Sequence, residues 1–220
     1  MSTIIEQQTA IVIEQIKANP QLNQFVNSVL PTPKAFRGSG EIKLVILGQD
    51  PTVKNQKSLA KIKTVLNLDK SGNLRNYLSE ICKGLGLDLN KNVYATNYLK
   101  NFFVKPPTQF KDNDLFTKFA ELWLPLLRKE LAPFGNIPVI TLGQPVLSLV
   151  TQRGAPKHVR DYWGYNNEWK SGKTLPFKFI DPENNLLNHN IFPFPHQPSI
   201  AKQFYRSRLM KYVDFMRDYL

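Results

Sequence analysis

The chain has 220 residues, of which 42% are hydrophobic and 21% charged; this fits a globular protein with one sizeable core and excludes a disordered chain. No apolar run reaches the length of a membrane span, and the lone Cys82 excludes an internal disulfide, a cysteine-held iron–sulfur cluster and a cysteine-held structural zinc within one chain. Lysine and arginine number 29 against 17 acids, a net charge of +12, which points to a polyanionic partner, most simply nucleic acid, without separating it from an anionic membrane surface.

The N-terminal pattern has Glu6 and Glu14 inside its apolar positions and lacks the basic head and unbroken core of a signal peptide, so a cytoplasmic protein is expected. Residues 4–30 carry Ile5, Ile11, Ile13, Ile16, Leu22, Phe25 and Leu30 at helical spacing, and Asn19-Pro20 divides them into two predicted helices. The run KLVIL (43–47) is short and continuously apolar, as in a strand buried on both faces. A basic loop with Lys54, Lys57, Lys61 and Lys63 follows. NLRNYLSEICKGLGL then reads as a helix ended by Gly84 or Gly86, with Cys82 as a packed core thiol.

NVYATNYL (92–99) is a second predicted strand, and residues 114–132 form a long amphipathic helix with Pro125 as its expected kink. IPVITLG (137–143) is a third strand, leading into the helix QPVLSLVTQ. Residues 151–190, rich in Gly, Asn, Pro and aromatics, predict irregular loops. HNIFPFP (189–195) is a fourth strand, and a basic helix closes the chain. Apolar strands alternating with helices predict an α/β fold, a central, mostly parallel four-stranded sheet flanked by helices, in a single domain over 1–220. Ligands of such sheets bind where loops leave the carboxyl ends of the strands.

Those loops carry GQDPT, TNYLKN, LGQP and PHQPS. Pro51 restricts Asp50 to extended backbone and so aims its carboxylate; the residue is either a helix cap or a group that orients water and steadies a developing cation. Asn97 offers the acceptor-and-donor edge that reads a nucleobase, or simply forms a turn. His196, between Pro195 and Gln197, is either an ordinary polar residue or a donor to a leaving oxygen. Ile200 precedes the cations of AKQFYRSR, an arrangement that suits extrusion of a base: a wedge for the vacated stack and charges for the phosphates. Histidines 158, 189 and 196 have no metal-site spacing.

Together LGQDP, VYATN, ITLGQP and FPHQPSIAKQF resemble, in order and over roughly residues 40–215, the motifs of the uracil-DNA glycosylase superfamily. The resemblance implies a three-layer glycosylase sandwich and hydrolytic removal of uracil or a related base from DNA. Asp50 would position water and steady the sugar cation, and His196 would stabilise the leaving base. Gln49 would line the pocket through its backbone, and Asn97 would read the base. Gly143 and Ser199 would hold phosphate, Ile200 would intercalate, and Gln144, Lys202 and Arg206 would add DNA contacts. The implied partner is DNA, duplex or single-stranded, acted on by a monomer with no metal, cofactor or membrane.

The chain departs from the family pattern at three places. Thr52-Val53 stands where the family has Tyr-His, opening the pocket toward a 5-substituent. Val65 or Leu66 stands near the family's stacking phenylalanine. Gln197 separates His196 from Pro198-Ser199. Retained Asp50, Asn97 and His196 favour an enzyme, whereas the missing aromatics favour a catalytically weak or inactive DNA- or protein-binding module.

Overall fold

The computed structural model describes residues 2–220 apart from 54, 111–113, 153–154 and 157, with backbone only at 2, 3, 56 and 57. Helix α1 (Ser2–Ala18) stops at Asn19, whose side chain accepts the Gln21 N–H at 3.0 Å and starts α2 (Pro20–Asn23) with proline in its first turn. The break at Asn19-Pro20 is as expected, but the second helix is only four residues long. Beyond it, Val26 makes an antiparallel bridge to Phe103, so the apolar spacing from Phe25 to Leu30 serves loop packing and not a helix.

Among the described residues the sheet has five strands, not the four expected: β1 (Phe36–Arg37), β2 (Leu44–Gly48), β3 (Val93–Asn97), β4 (Val139–Leu142) and β5 (Ile191–Phe194). Their order is β1-β3-β2-β4-β5, parallel throughout except for β1, which pairs antiparallel with β3 through Phe36 and Arg37. Two residues are too few to show a period, which is why β1 leaves no sequence signal. Leu44, Val45, Ile46 and Leu47 are fully buried; each such side chain contributes about 1.5–3 kcal/mol.

Around the sheet stand α3 (Asn73–Gly84), α4 (Leu89–Asn92), α5 (Leu115–Leu131), α6 (Gln144–Val150), α7 (Val159–Tyr162), α8 (Gln197–Ile200) and α9 (Gln203–Arg217). Helix α1 packs on α5, and α3 packs on α9. Helix α5 runs unbroken through Pro125, which lies on its exposed side. Cys82 is fully buried in α3, and burial pushes its thiol up to about 12, an inert core group as expected.

Outside α7, the described residues of 151–190 form loops and short turns, as their composition predicts. Those loops are fastened by aromatic packing. Trp163 stacks on Tyr212 of α9 at 4.5 Å and donates its indole N–H to the Pro193 carbonyl of β5 at 2.7 Å. Among the described residues, no helix is long and apolar enough to cross a membrane, and no three His, Cys, Asp or Glu side chains converge as a metal site would require.

Candidate functional site

The register of the parallel strands sets the ends of β3, β2, β4 and β5 side by side in that order. Asn97 is opposite Gly48, and Leu142 is opposite Phe194. With neighbouring strands roughly 4.8 Å apart, the row from Asn97 to the exit of β5 spans about 14 Å, enough for one nucleoside lying along the edge. The loops carrying Gln49-Asp50, Asn97, Gly143 and His196 all leave from this edge.

The β2 exit is the most constrained part of the row. The backbone N–H groups of Tyr98 and Leu99 donate to the carbonyls of Gly48 and Gln49 at 2.9 and 2.8 Å, extending the β2–β3 ladder past the strand end. The Gln49 carbonyl is thus engaged by Leu99. Asp50 Oδ2 accepts the Thr52 N–H at 2.9 Å, and the Thr52 side chain also bonds the carboxylate. The next helical turn begins only at Gln56, so Asp50 caps no helix and that alternative is excluded. Burial raises the Asp50 carboxyl to about 6, against the two Thr52 hydrogen bonds that lower it. Thr52 Oγ1 in turn accepts the Phe103 N–H at 2.8 Å, so its hydroxyl is committed to the turn.

Asn97 is 2% exposed, and its Oδ1 has no hydrogen-bond partner among the described residues. Its carboxamide lies against Gly48: a Cβ there would collide with Asn97 Oδ1 and meet Leu66 Cδ2 at 2.9 Å. Glycine at the last position of β2 therefore lets an amide and an aliphatic side chain close in beside Asp50. This separates the two candidates for the stacking position. Leu66 reaches the β2 exit, whereas Val65 is buried and lines a cavity on the other side of the segment. Leu66 and Asn67 both have left-handed backbone, φ +57° and +51°, which costs roughly 1–2 kcal/mol per residue. The segment is held against that strain by Val65 N–H to the Lys34 carbonyl at 2.9 Å and by Arg75 donating to the Leu68 carbonyl.

At the other end of the row, Gly143 has φ +89°, and a Cβ added to it would meet His196 Cβ at 3.2 Å, so glycine admits the histidine loop beside β4. Tyr77 of α3 donates to the Pro195 carbonyl at 3.3 Å and anchors the residue before His196. His196 itself is exposed, and desolvation by the surrounding atoms lowers its pKa, so the imidazole is neutral at neutral pH. The other histidines are structural: His189 Nδ1 lies 3.0 Å from the Ile137 carbonyl, and the His158 N–H donates to Asp161 at the start of α7.

The residues expected from the sequence to contact DNA divide. Lys202, the N-cap of α9, and Arg206, one turn further on, are exposed and make no ion pair among the described residues, and Ser199 is half-buried in α8. Ile200 is half-buried and packed partly on the core. Gln144 Oε1 accepts the Val159 N–H at 3.2 Å and so ties α6 to α7. Lys61 and Lys63 are exposed, whereas Lys54 and the Lys57 side chain lie outside the described residues.

Sequence reasoning missed Tyr77, Trp163 and the partners of Thr52. Each acts through a contact distant in sequence, and no local spacing encodes it. The chain matches no protein-family model, and a search of curated proteins finds no match.

Proposed function

We propose that the chain is a monofunctional DNA glycosylase on a glycosylase-like three-layer sandwich, hydrolysing the N-glycosidic bond of uracil or a related damaged base as a cytoplasmic monomer. One observation carries this reading. A desolvated carboxylate and an amide with an unpartnered acceptor occupy adjacent strand ends beside an uncharged histidine's loop. Asn97 Oδ1 suits the N3–H of a pyrimidine, the donor that distinguishes uracil from cytosine. As the C1′–N1 bond lengthens, the base takes the bonding electrons and the sugar gains oxocarbenium character. Ionised Asp50 stabilises that cation and accepts a proton from the water that adds to C1′. His196 donates its N–H to the base oxygen where the negative charge collects.

The test is base release from oligonucleotides carrying uracil, hypoxanthine, xanthine or a mismatched thymine, scored by alkaline cleavage at the abasic site. Release from at least one substrate, abolished by Asp50→Asn, is expected. No release above that variant's background from any of them overturns the reading. DNA binding without release would establish the alternative, a glycosylase-like binding module, which is favoured by the aliphatic Leu66 in place of an aromatic face.

A further inference from the structure

The three tryptophans are not alike. Trp123 and Trp163 are fully buried, and their indole N–H groups donate to Asn101 Oδ1 at 2.9 Å and to the Pro193 carbonyl at 2.7 Å. Trp169 is half-buried, and its indole N–H has no hydrogen-bond partner among the described residues. Its one ring partner there is Phe204 of α9, met edge-on at 5.3 Å, and no cation lies over its face. The nearby Tyr165 and Phe177, by contrast, are each covered by a guanidinium, Arg160 at 4.7 Å and Arg208 at 4.5 Å. Pinning the loop to α9 does not require Trp169, because Tyr165 packs on the same Phe204 at 5.2 Å.

The loop that presents Trp169 is closed by backbone hydrogen bonds. The Leu175 N–H donates to the Gly164 carbonyl at 3.0 Å, and the Lys178 N–H to the Tyr162 carbonyl at 2.9 Å. Gly164, at φ +69°, admits the Leu175 carbonyl where a Cβ would collide with it. The Trp169 N–H donates to the Asn166 carbonyl at 3.0 Å, and its own carbonyl accepts the Gly172 N–H at 3.1 Å, so the ring stands on a hydrogen-bonded turn.

The charge around this ring is positive. Residues 158–178 hold four cations, Arg160, Lys170, Lys173 and Lys178, against two acids. Both acids are engaged: Glu168 pairs with Lys173 at 2.6 Å, and Asp161 accepts the His158 N–H at 3.3 Å and lies 4.0 Å from Arg160. Lys170, next to Trp169, is exposed and makes no ion pair among the described residues. Phe204 stands between Lys202 and Arg206 in the chain, so its contact with Trp169 sets the loop beside the start of α9, where residues 202–213 hold four cations and no acid. A half-exposed ring among unpaired cations suits a single strand, whose bases stack on the ring while its phosphates meet the cations; a duplex keeps its base faces stacked on one another. We propose that Trp169 is a stacking platform for an unpaired base of single-stranded DNA running past the β5 end of the strand row, with flanking phosphates at Lys170 and Lys202. The choice of DNA over RNA rests on the glycosylase reading; the choice of a single strand does not.

The test is the tryptophan fluorescence of the full chain titrated with oligo(dT), oligo(U) RNA, a DNA hairpin duplex and inorganic polyphosphate, with affinities from the anisotropy of labelled strands. The other tryptophans are fully buried, so a saturable quench by oligo(dT) reports Trp169. Polyphosphate has no bases and should bind without a quench. Trp169→Leu, which keeps an apolar group on Phe204, should weaken oligo(dT) about tenfold or more and leave the hairpin unchanged. Trp169→Tyr keeps an aromatic face and should recover most of that loss. Lys170→Ser should flatten the salt slope for oligo(dT) by about 1 and leave the quench at saturation intact. The proposal is overturned by no quench at millimolar oligo(dT), by equal losses on strand and hairpin, by a tyrosine variant as weak as the leucine one, by an unchanged slope in Lys170→Ser, or by oligo(U) binding more tightly than oligo(dT). The wild-type quench decides even if the leucine variant folds poorly. Base release is not read, so a failed glycosylase reading shows as absent release and a failed platform as an absent quench.

Discussion

The two ends of the strand row are built differently. Around β2 and β3, the half-buried Asp50 and the buried Asn97 sit in dense hydrogen-bonded backbone, with a carboxyl raised to about 6. Around β5, His196, Lys202 and Arg206 are exposed on a short loop and the first turn of α9. Buried groups act strongly on charge that develops next to them, whereas exposed cations attract a polyanion from a distance but discriminate little between its ground and transition states. In the glycosylase reading the first end governs rate and the second governs affinity.

The largest break in that comparison is Asp50→Asn. Base release should fall at least about 100-fold in single-turnover rate, while DNA affinity stays at or above wild type. Stability should move the other way. The Asp50 pKa is raised from 3.8 to about 6 on folding, so the unfolded chain ionises first and the folded state is penalised as pH rises through that window. The penalty is absent below about pH 4 and complete above about pH 6, where it reaches about 3 kcal/mol. Denaturant titrations should show the asparagine variant more stable by up to that amount at pH 7.5 and equal to wild type near pH 3.5. A variant that is inactive without any gain in stability would mean that the carboxylate is not desolvated.

Next in size is Lys202→Ser/Arg206→Ser. Binding to duplex or single-stranded DNA should weaken on the order of tenfold at physiological salt, and the slope of log affinity against log salt should flatten by about 2. The rate at saturating enzyme should be unchanged. A fall in that rate at full occupancy would erase the division between the two ends.

A smaller effect is expected from Leu66→Phe. Leu66 is the residue that closes on Gly48, and an aromatic face there adds about 1–3 kcal/mol to a stacked base. Affinity for uracil-containing DNA should rise about fivefold or more over the undamaged sequence. An unchanged ratio, with the variant folded, would place the base away from Leu66.

Much of the β2–β3 end was legible in the sequence. The uniform apolarity of KLVIL marked a doubly covered strand, and Gly-Gln-Asp-Pro marked a rigid exit from it. Parallel pairing put the strand exits on one edge but left their order, β3-β2-β4-β5, unspecified. Other features had no local signature. Strand β1 is two residues held by β3. Leu66 is left-handed because Lys34 and Arg75 hold its neighbours, not because of its own preference. Glu130 looks like one more polar position on an amphipathic helix until Lys100 and Tyr94 are seen around it. These are long-range contacts, and a hydrophobic period carries no information about them.

The finest prediction concerns Thr52, where the sequence left an open pocket and the structure supplies a second role. Its Oγ1 accepts the Phe103 N–H, and its side chain bonds the Asp50 carboxylate. A hydroxyl that already accepts in one direction donates in the other, so Thr52 favours the ionised form of Asp50 and holds it in place. Thr52→Val keeps the size and the backbone N–H but removes that donor. The Asp50 pKa should rise further, and the acid limb of the single-turnover pH profile, centred near 6 in wild type, should move up by about half to one unit. At pH 8.5 both proteins are ionised at Asp50 and their rates should converge, which a loss of folding or of DNA binding would not produce. Thr52→Ser retains the hydroxyl and should follow the wild-type profile. The valine substitution also leaves the Phe103 N–H unpaired, so stability should fall by about 1–3 kcal/mol independently of pH. If the valine profile keeps its wild-type midpoint while stability falls, Thr52 serves only Phe103, and the tuning of Asp50 rests on its backbone contact alone.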